Sequence, residues 1–391
     1  MQLNGVRILD LTRLLPGPYA TQLLADSGAE VIKVEDTGAG DYARHGQPRS
    51  ERDVGAIFEM VNRGKKSVSI DLKSDEGTEA FYRLVESADV VFEQFRPGVV
   101  DRLGIDYETL CSYNEDLIYC SLTGYGQEGP WSDRAGHDLN YVGLAGLLDM
   151  TRESPSDKPQ MPGYPIGDMS GGLFSAFAIT EALLSRELGN TNGEYIDVAM
   201  SDVVASFSQS VTYQALTGDP AEPRPGETAL SGKFPWYDSY ATADGKWVTL
   251  AALEPKFWRA FCEAVGAEHL IDAHDDHDTE TFATVRAELE DLFAERTREE
   301  WEDALGDVDA AFGGVYTPAE MVEHPQLEAR EMIERPENAP SRIGFPARSS
   351  EAPAGAGETL PAQGEHTDSV LSAVGYSDAE LEELRDADAI R

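Results

Sequence analysis

Cysteine is scarce in this 391-residue chain: Cys111, Cys120 and Cys262 are the only three, and none forms a CxxC pair. That excludes a disulfide-stapled scaffold and a cysteine zinc site, and it suits a reducing cytoplasm. No apolar run approaches the roughly 18 residues that read as a membrane span. Neither an internal repeat nor a metal-ligand spacing is present. Residues 1–7 lack a basic stretch followed by an apolar one, so no leader peptide is expected. Lysine is the other shortage, with eight residues against 23 arginines.

What is there in excess is acid. Basic residues number 31 and acidic ones 72, for a formal net charge of −41. Such a chain repels itself in dilute buffer and also repels nucleic-acid phosphates. At molar salt the Debye length falls to about 3 Å and the self-repulsion is screened. Acid excess with little lysine therefore reads as adaptation to a salt-rich cytoplasm. The charge is uneven: residues 1–134 carry 14 basic and 23 acidic groups, and residues 135–391 carry 17 and 49. A polyanionic ligand bound by the first third would explain the cations kept there, and so would greater burial of that third. The hydrophobic fraction of 41 % is enough for a globular core.

Strand and helix patterns alternate along the first third. Val6–Leu11 reads as a buried strand, Pro16-Gly17-Pro18 breaks it, Tyr19–Ser27 reads as a helix ended by Gly28, and Glu30–Glu35 is the next strand. Strands follow at 67–72, 89–92 and 117–122, with helices at 75–87 and 107–113. This order predicts a mostly parallel sheet with helices on both faces. Leu173–Arg186 is apolar and alanine-rich, hence a buried helix; Tyr195–Ala199 is a strand and Asp202–Leu216 a helix. Residues 218–235 are rich in Pro, Gly and Glu and read as a linker. Beyond it, a hairpin around Asp244-Gly245 and helices at 255–265, 282–295 and 298–305 form a second, smaller α/β unit. A Pro-, Ala- and Gly-rich stretch over 335–365 precedes a closing helix with a Ser377–Glu380 capping box. The expected domains are 1–217 with 331–391, and 236–330.

Four motifs bear on chemistry. Gly124-Tyr125-Gly126-Gln127-Glu128-Gly129 matches a dinucleotide fingerprint, but Pro130 and Trp131 follow it instead of an apolar helix, so it reads as a structural loop. Gly136-His137-Asp138 puts an imidazole at the mouth of a helix, where it can act as a base or simply be a satisfied histidine. Asp168 stands near the start of the apolar helix, where capping is the usual role of Asp. In the functional reading the helix-start amides hold an oxyanion beside that carboxylate, and Gly171 and Gly172 allow close approach of a ligand or a second backbone. Glu254-Pro255-Lys256 sets a carboxylate between a strand and a helix. His274 and His277 read as part of a solvated acidic loop.

Taken in order, several blocks resemble the family III CoA-transferase superfamily. They include Pro16-Gly17-Pro18, Asp26 through Glu35, Asn62 through Ser67, Asp71-Leu72-Lys73, Phe95-Arg96-Pro97-Gly98 and Leu122 through Gln127. The likeness is nearest to the alpha-methylacyl-CoA racemase branch, on Gly136-His137-Asp138 and on Glu254-Pro255-Lys256-Phe257. The resemblance implies a large doubly wound, Rossmann-like domain built from both chain ends, a smaller middle domain and an interlocked homodimer. It implies no metal, and no cofactor beyond the CoA of an acyl-CoA substrate. His137 and Asp168 would be the two proton-transfer groups, and Glu254 would orient His137. CoA contacts would fall at Leu72, Lys73, Gln94, Phe95, Arg96, Arg102 and Asp138. Asp36 stands where many relatives carry an Arg, which removes one expected cation from the CoA site. The alternative within the same superfamily is a CoA transferase with Asp168 as nucleophile.

Overall fold

The computed structural model describes residues 2–218, 225–276, 278–337, 339–351 and 357–391. Residues 219–224 of the expected linker and His277 lie outside these described residues.

Six short strands form one sheet: β1 (Arg7–Asp10), β2 (Glu30–Glu35), β3 (Lys66–Ser69), β4 (Val90–Glu93), β5 (Ile118–Thr123) and β6 (Glu194–Ala199). Their order is β3-β2-β1-β4-β5-β6, and every neighbouring pair is parallel. This is the doubly wound order, and it reverses direction between β1 and β4. Strands covered on both faces read as continuous apolar runs, as Val90-Val91-Phe92 does. Ile8, Val31, Val90 and Ile118 pack on one face under helices α1 (Pro16–Asp26) and α4 (Ile166–Glu187). Leu9, Ile32, Val68 and Val91 pack on the other, against α2 (Asp75–Val85), α8 (Thr367–Ala373) and α9 (Asp378–Asp386). The C-terminal segment lies along β3, with the His366 amide donating to Ser67 O at 2.9 Å and the Asp71 amide to Ala389 O at 2.8 Å.

By internal contacts the chain divides into two units, one of residues 1–147, 162–208 and 331–391, the other of 148–161 and 209–330. Residues 148–161 and 209–217 thus fall with the second unit, where the sequence suggested the first. That unit carries an antiparallel sheet of β7 (Tyr237–Ala241), β8 (Trp247–Ala251) and β9 (Phe312–Val315). Helices α5 (Pro255–Val265), α6 (Thr279–Phe293) and α7 (Arg298–Leu305) complete it. Its core is aromatic, with Trp258, Phe261, Phe293 and Trp301 all buried. His274, expected in a solvated loop, instead stacks on Trp236 at 4.6 Å between ring centroids.

Three helices depart from expectation. α1 begins at Pro16, not Tyr19, because a proline in the first turn gives up an amide that has no helical acceptor anyway. The segment Asp202–Leu216 breaks into Met200–Ser206, a 3-10 turn and Tyr213–Thr217. The apolar helix α4 is longer than expected and is not buried all round: Phe174, Phe177 and Leu184 are exposed, Phe177 at 58 %.

Beneath the C-terminal ends of β1 and β2 lies a buried set of charges. Lys33 is fully buried, 2.9 Å from Asp41 and 2.8 Å from Thr12 O. Lys65, also buried, donates to Thr21 Oγ1 at 2.7 Å and to Asn62 Oδ1 at 2.9 Å, and lies 3.3 Å from Asp10. Arg44 forks onto Glu35 at 2.6 and 2.7 Å. Burial alone would push the Asp41 carboxyl up; Lys33 and the N–H groups of Leu14 and Ala43 hold it below its ordinary value. Removing one member leaves its partners as uncompensated buried charges. Lys33→Met is therefore expected to destabilise unit 1 by about 3–5 kcal/mol in urea unfolding at molar KCl. A loss below about 1 kcal/mol would show that the network carries little of the fold's stability.

Candidate active site

In a sheet of this order, ligands bind beyond the carboxyl ends of the strands where the order reverses. Two cavities open there, both within the first unit. The smaller, about 240 Å3, is lined by residues after β1 and β2 (Thr12, Arg13, Asp36), by Leu72 and Lys73, and by Phe95. The larger, about 470 Å3, is lined by Gln94, Phe95 and Arg96 after β4, by Gly124 after β5, and by His137 and Asp168. Arg13, Tyr42, Phe95 and Val99 belong to both linings.

The loop between β5 and His137 is held by packing around Tyr141. A Cβ on Gly124 would fall 2.4 Å from the Tyr141 ring, and one on Gly136 2.7 Å from the same ring. These glycines admit Tyr141, whose hydroxyl donates to Gly136 O at 2.6 Å. The dinucleotide-like motif is thus a loop built around an aromatic ring. His137 is the residue before helix α3 (Asp138–Leu144), in extended backbone, and its amide donates to Asn140 Oδ1 at 3.1 Å. Two bonds therefore fix the Gly136–His137 peptide that leads into the imidazole's residue. The imidazole itself is exposed and lines the larger cavity.

Asp138, the next residue, reaches α4. Its Oδ1 accepts the amides of Gly167 at 2.6 Å and Asp168 at 3.2 Å. The amide of Ile166 donates to Tyr164 O and that of Met169 to Pro165 O, both at 2.9 Å. One expectation changes here. The helix-start amides meant for an oxyanion are already occupied, because an acidic side chain from α3 satisfies the donors that a helix leaves open. Asp138, expected to contact CoA, does this capping through Oδ1. Gly171 and Gly172 face protein: a Cβ on Gly172 would lie 2.3 Å from Pro16 O, and one on Gly171 2.5 Å from Met200 Cγ. The Gly172 contact seats α4 against α1, and the Gly171 contact seats it against the start of the helix Met200–Ser206.

Asp168 sits in the first turn of α4, half-buried. Burial pushes its carboxyl up to about 6; the Asp138 charge adds to the rise and His137 opposes it. Glu93, at the end of β4, is buried. It accepts the Phe95 amide at 2.6 Å and the Ser121 hydroxyl, and burial pushes its carboxyl up to about 7. Gln94 accepts the Gly17 amide at 3.2 Å. Arg102 is exposed on the short helix Val99–Leu103 and lies outside both linings. Glu254 belongs to the second unit, where it precedes α5 without its carboxylate capping that helix. Sequence reasoning missed Arg13, Tyr42 and Arg134, which line these cavities. The position of Arg13 just after β1 is the signal that could have found it.

The sequence profile of CoA-transferase family III matches residues 3–367. Alpha-methylacyl-CoA racemase of Mus musculus is 33 % identical over 386 residues, covering 98 % of this chain and 96 % of the relative. Succinyl-CoA:mesaconate CoA-transferase of Haloarcula hispanica is 35 % identical over 390 residues, covering 95 % and 96 %. Among solved structures, a CAIB/BAIF family protein from Brucella suis superposes with a TM-score of 0.81 at 30 % identity, over 95 % of this chain and 99 % of that one.

The raised Asp168 carboxyl couples stability to pH. With a folded value near 6 and an ordinary value of 3.8, the native state holds its proton more tightly than the unfolded chain. The ionised carboxylate therefore weakens the fold above about pH 6, and the penalty vanishes below about pH 4. Asp168→Asn is expected to raise the Tm at about pH 8 and to match the parent below about pH 4. A lower Tm at both would contradict the assignment of strain to this carboxylate.

Proposed function

The chain belongs to CoA-transferase family III, and we propose that within it the protein interconverts the (R) and (S) forms of a 2-methylacyl-CoA thioester. The observation that carries this reading is that His137 and Asp168 line one cavity and that His137 acts on the charge of the Asp168 carboxyl. Inversion at the α-carbon needs a base on one face of a planar enolate and an acid on the other. His137 takes the proton from one epimer while Asp168 returns one to the opposite face, and the roles exchange for the other epimer. A carboxyl titrating near 6 supplies both its acid and its base form close to neutrality. The racemase among the relatives supports the reading, as do the Gly136-His137-Asp138 and Glu254-Pro255-Lys256-Phe257 blocks. Orientation of His137 by Glu254 is part of the proposal. Leu72, Lys73, Gln94, Phe95 and Arg96 lie along the cavities as contacts for CoA.

The transferases among the relatives give a second reading, on the same carboxylate, more support than the racemases give the first. The Asp168 carboxylate attacks the thioester carbonyl, displaces the CoA thiolate and forms a mixed anhydride. The thiolate attacks the aspartyl carbonyl of that anhydride, releasing the first acid and leaving an aspartyl-CoA thioester. A second carboxylate displaces the thiolate to form a new anhydride, and the thiolate attacks its acyl carbonyl to give the new acyl-CoA and free Asp168. His137 has no part in that cycle.

The exposed side of α4, with Leu173, Phe174, Phe177 and Leu184, supports an interlocked homodimer, since a helix apolar on every side needs cover on every side. The net charge of −41 supports a salt-rich cytoplasm, and the three free cysteines suit a reducing one.

Substitution separates the two chemistries. In D2O with no free acid, His137→Gln is expected to lose α-deuterium incorporation from one epimer by about 100-fold or more, and Asp168→Asn from the other. Full activity in His137→Gln, with turnover only when a free acid is added, would establish the transferase. Phe177→Glu is expected to yield monomers by light scattering in molar KCl, and an unchanged dimer would contradict the proposed interface.

A further inference from the structure

Arg13 lies where the two cavities meet, in the first loop after β1 at the point where the strand order reverses. Its guanidinium carbon stands 5.5 Å from the Tyr42 ring centroid and 5.2 Å from that of Phe95. The two rings fix the group, and neither supplies an anion. Among the described residues Arg13 makes no ion pair and no hydrogen bond, in a chain where 72 acidic residues face 31 basic ones. An arginine left without a carboxylate under that excess is shaped for an anion that arrives from outside.

Its placement is built from below. Leu14, the next residue, has a φ of 66°, in the left-handed region that a leucine rarely adopts. The Leu14 amide donates to Asp41 Oδ1 at 3.0 Å, and Asp41 is bridged to the buried Lys33. The buried ion pair thus holds the turn that carries Arg13. The surroundings explain why a cation is needed: Glu35, Asp36 and Asp41 line the smaller cavity too. Arg44 neutralises Glu35 and Lys33 neutralises Asp41, while Asp36 has only backbone amides. Lys73 and Arg13 are the cations in that lining, and Arg13 alone of the two extends into the cavity of His137 and Asp168.

We propose that Arg13 is a ligand-binding residue that holds an anionic phosphate oxygen of the CoA thioester at the junction of the two cavities. The inference rests on the acyl-CoA reading of the site. A fork of N–H donors fits a phosphate in a bidentate way that a lysine ammonium does not. A carboxylate on the acyl group offers the same chemistry, so the probes must separate the two sources.

The test is calorimetric binding to the full chain in molar KCl, with free CoA, 3′-dephospho-CoA and pantetheine as ligands. Arg13→Gln is expected to weaken CoA binding about tenfold or more, to leave pantetheine binding unchanged, and to keep the parent's circular dichroism. Arg13→Lys should recover part of the affinity, since it keeps charge without the fork. A defect that disappears with 3′-dephospho-CoA assigns the 3′-phosphate; one that persists assigns the diphosphate. Unchanged CoA binding in folded Arg13→Gln overturns the proposal. A rise in KM confined to an acyl-CoA with a terminal carboxylate would move the contact to the acyl group and overturn it equally. Absence of CoA binding by the unsubstituted protein would strike the acyl-CoA reading itself.

Discussion

One carboxylate sets the relation between His137 and Asp168. Asp138 follows His137 directly and accepts the amides of Gly167 and Asp168, so the start of α3 and the start of α4 are tied through a single side-chain oxygen. Its charge then acts on Asp168, whose carboxyl burial has already pushed up. The two aspartates differ in environment: Asp138 accepts two helix-start amides, while burial pushes the Asp168 carboxyl up to about 6. The close contact of Gly172 with the carbonyl of Pro16 and the packing of Tyr141 between Gly124 and Gly136 keep both ends of this tie in place.

A second theme is the contrast between surface and site. The molecule carries a charge of −41, yet Arg13, Lys73, Arg96 and Arg134 line the cavities at the strand ends. The charges buried below them are matched in place: Lys33 with Asp41, Lys65 with Asp10, Arg44 with Glu35. Ion pairs of that kind cost desolvation and are weak evidence of stability for its own sake. Here they order the turn that presents Arg13, where a flexible loop would lose affinity to ordering.

Much of the sheet was legible because parallel strands covered on both faces leave long apolar runs, as Val31-Ile32 and Val90-Val91-Phe92 do. The third strand of the small sheet was not, because Phe312-Gly313-Gly314-Val315 offers too little β-forming character to stand out. The side exposed on α4 could not be told from a buried one, since composition does not say which face of an apolar helix has a neighbour. His137 and Asp168 came from motif and resemblance. The capping by Asp138 and the stacking of Arg13 did not, because each joins residues far apart in the chain, from Asp138 to Gly167 and from Arg13 to Tyr42 and Phe95, through geometry that spacing does not encode.

The central claim is that this site moves a proton at the α-carbon of an acyl-CoA. The direct measurement is to incubate the unsubstituted protein in D2O, in molar KCl and with no free acid, with a single epimer of a 2-methylacyl-CoA, and to follow the α-position by NMR. The account predicts deuterium at the α-carbon together with loss of optical purity. An unlabelled, optically pure thioester that turns over only after a free carboxylic acid is added would contradict it.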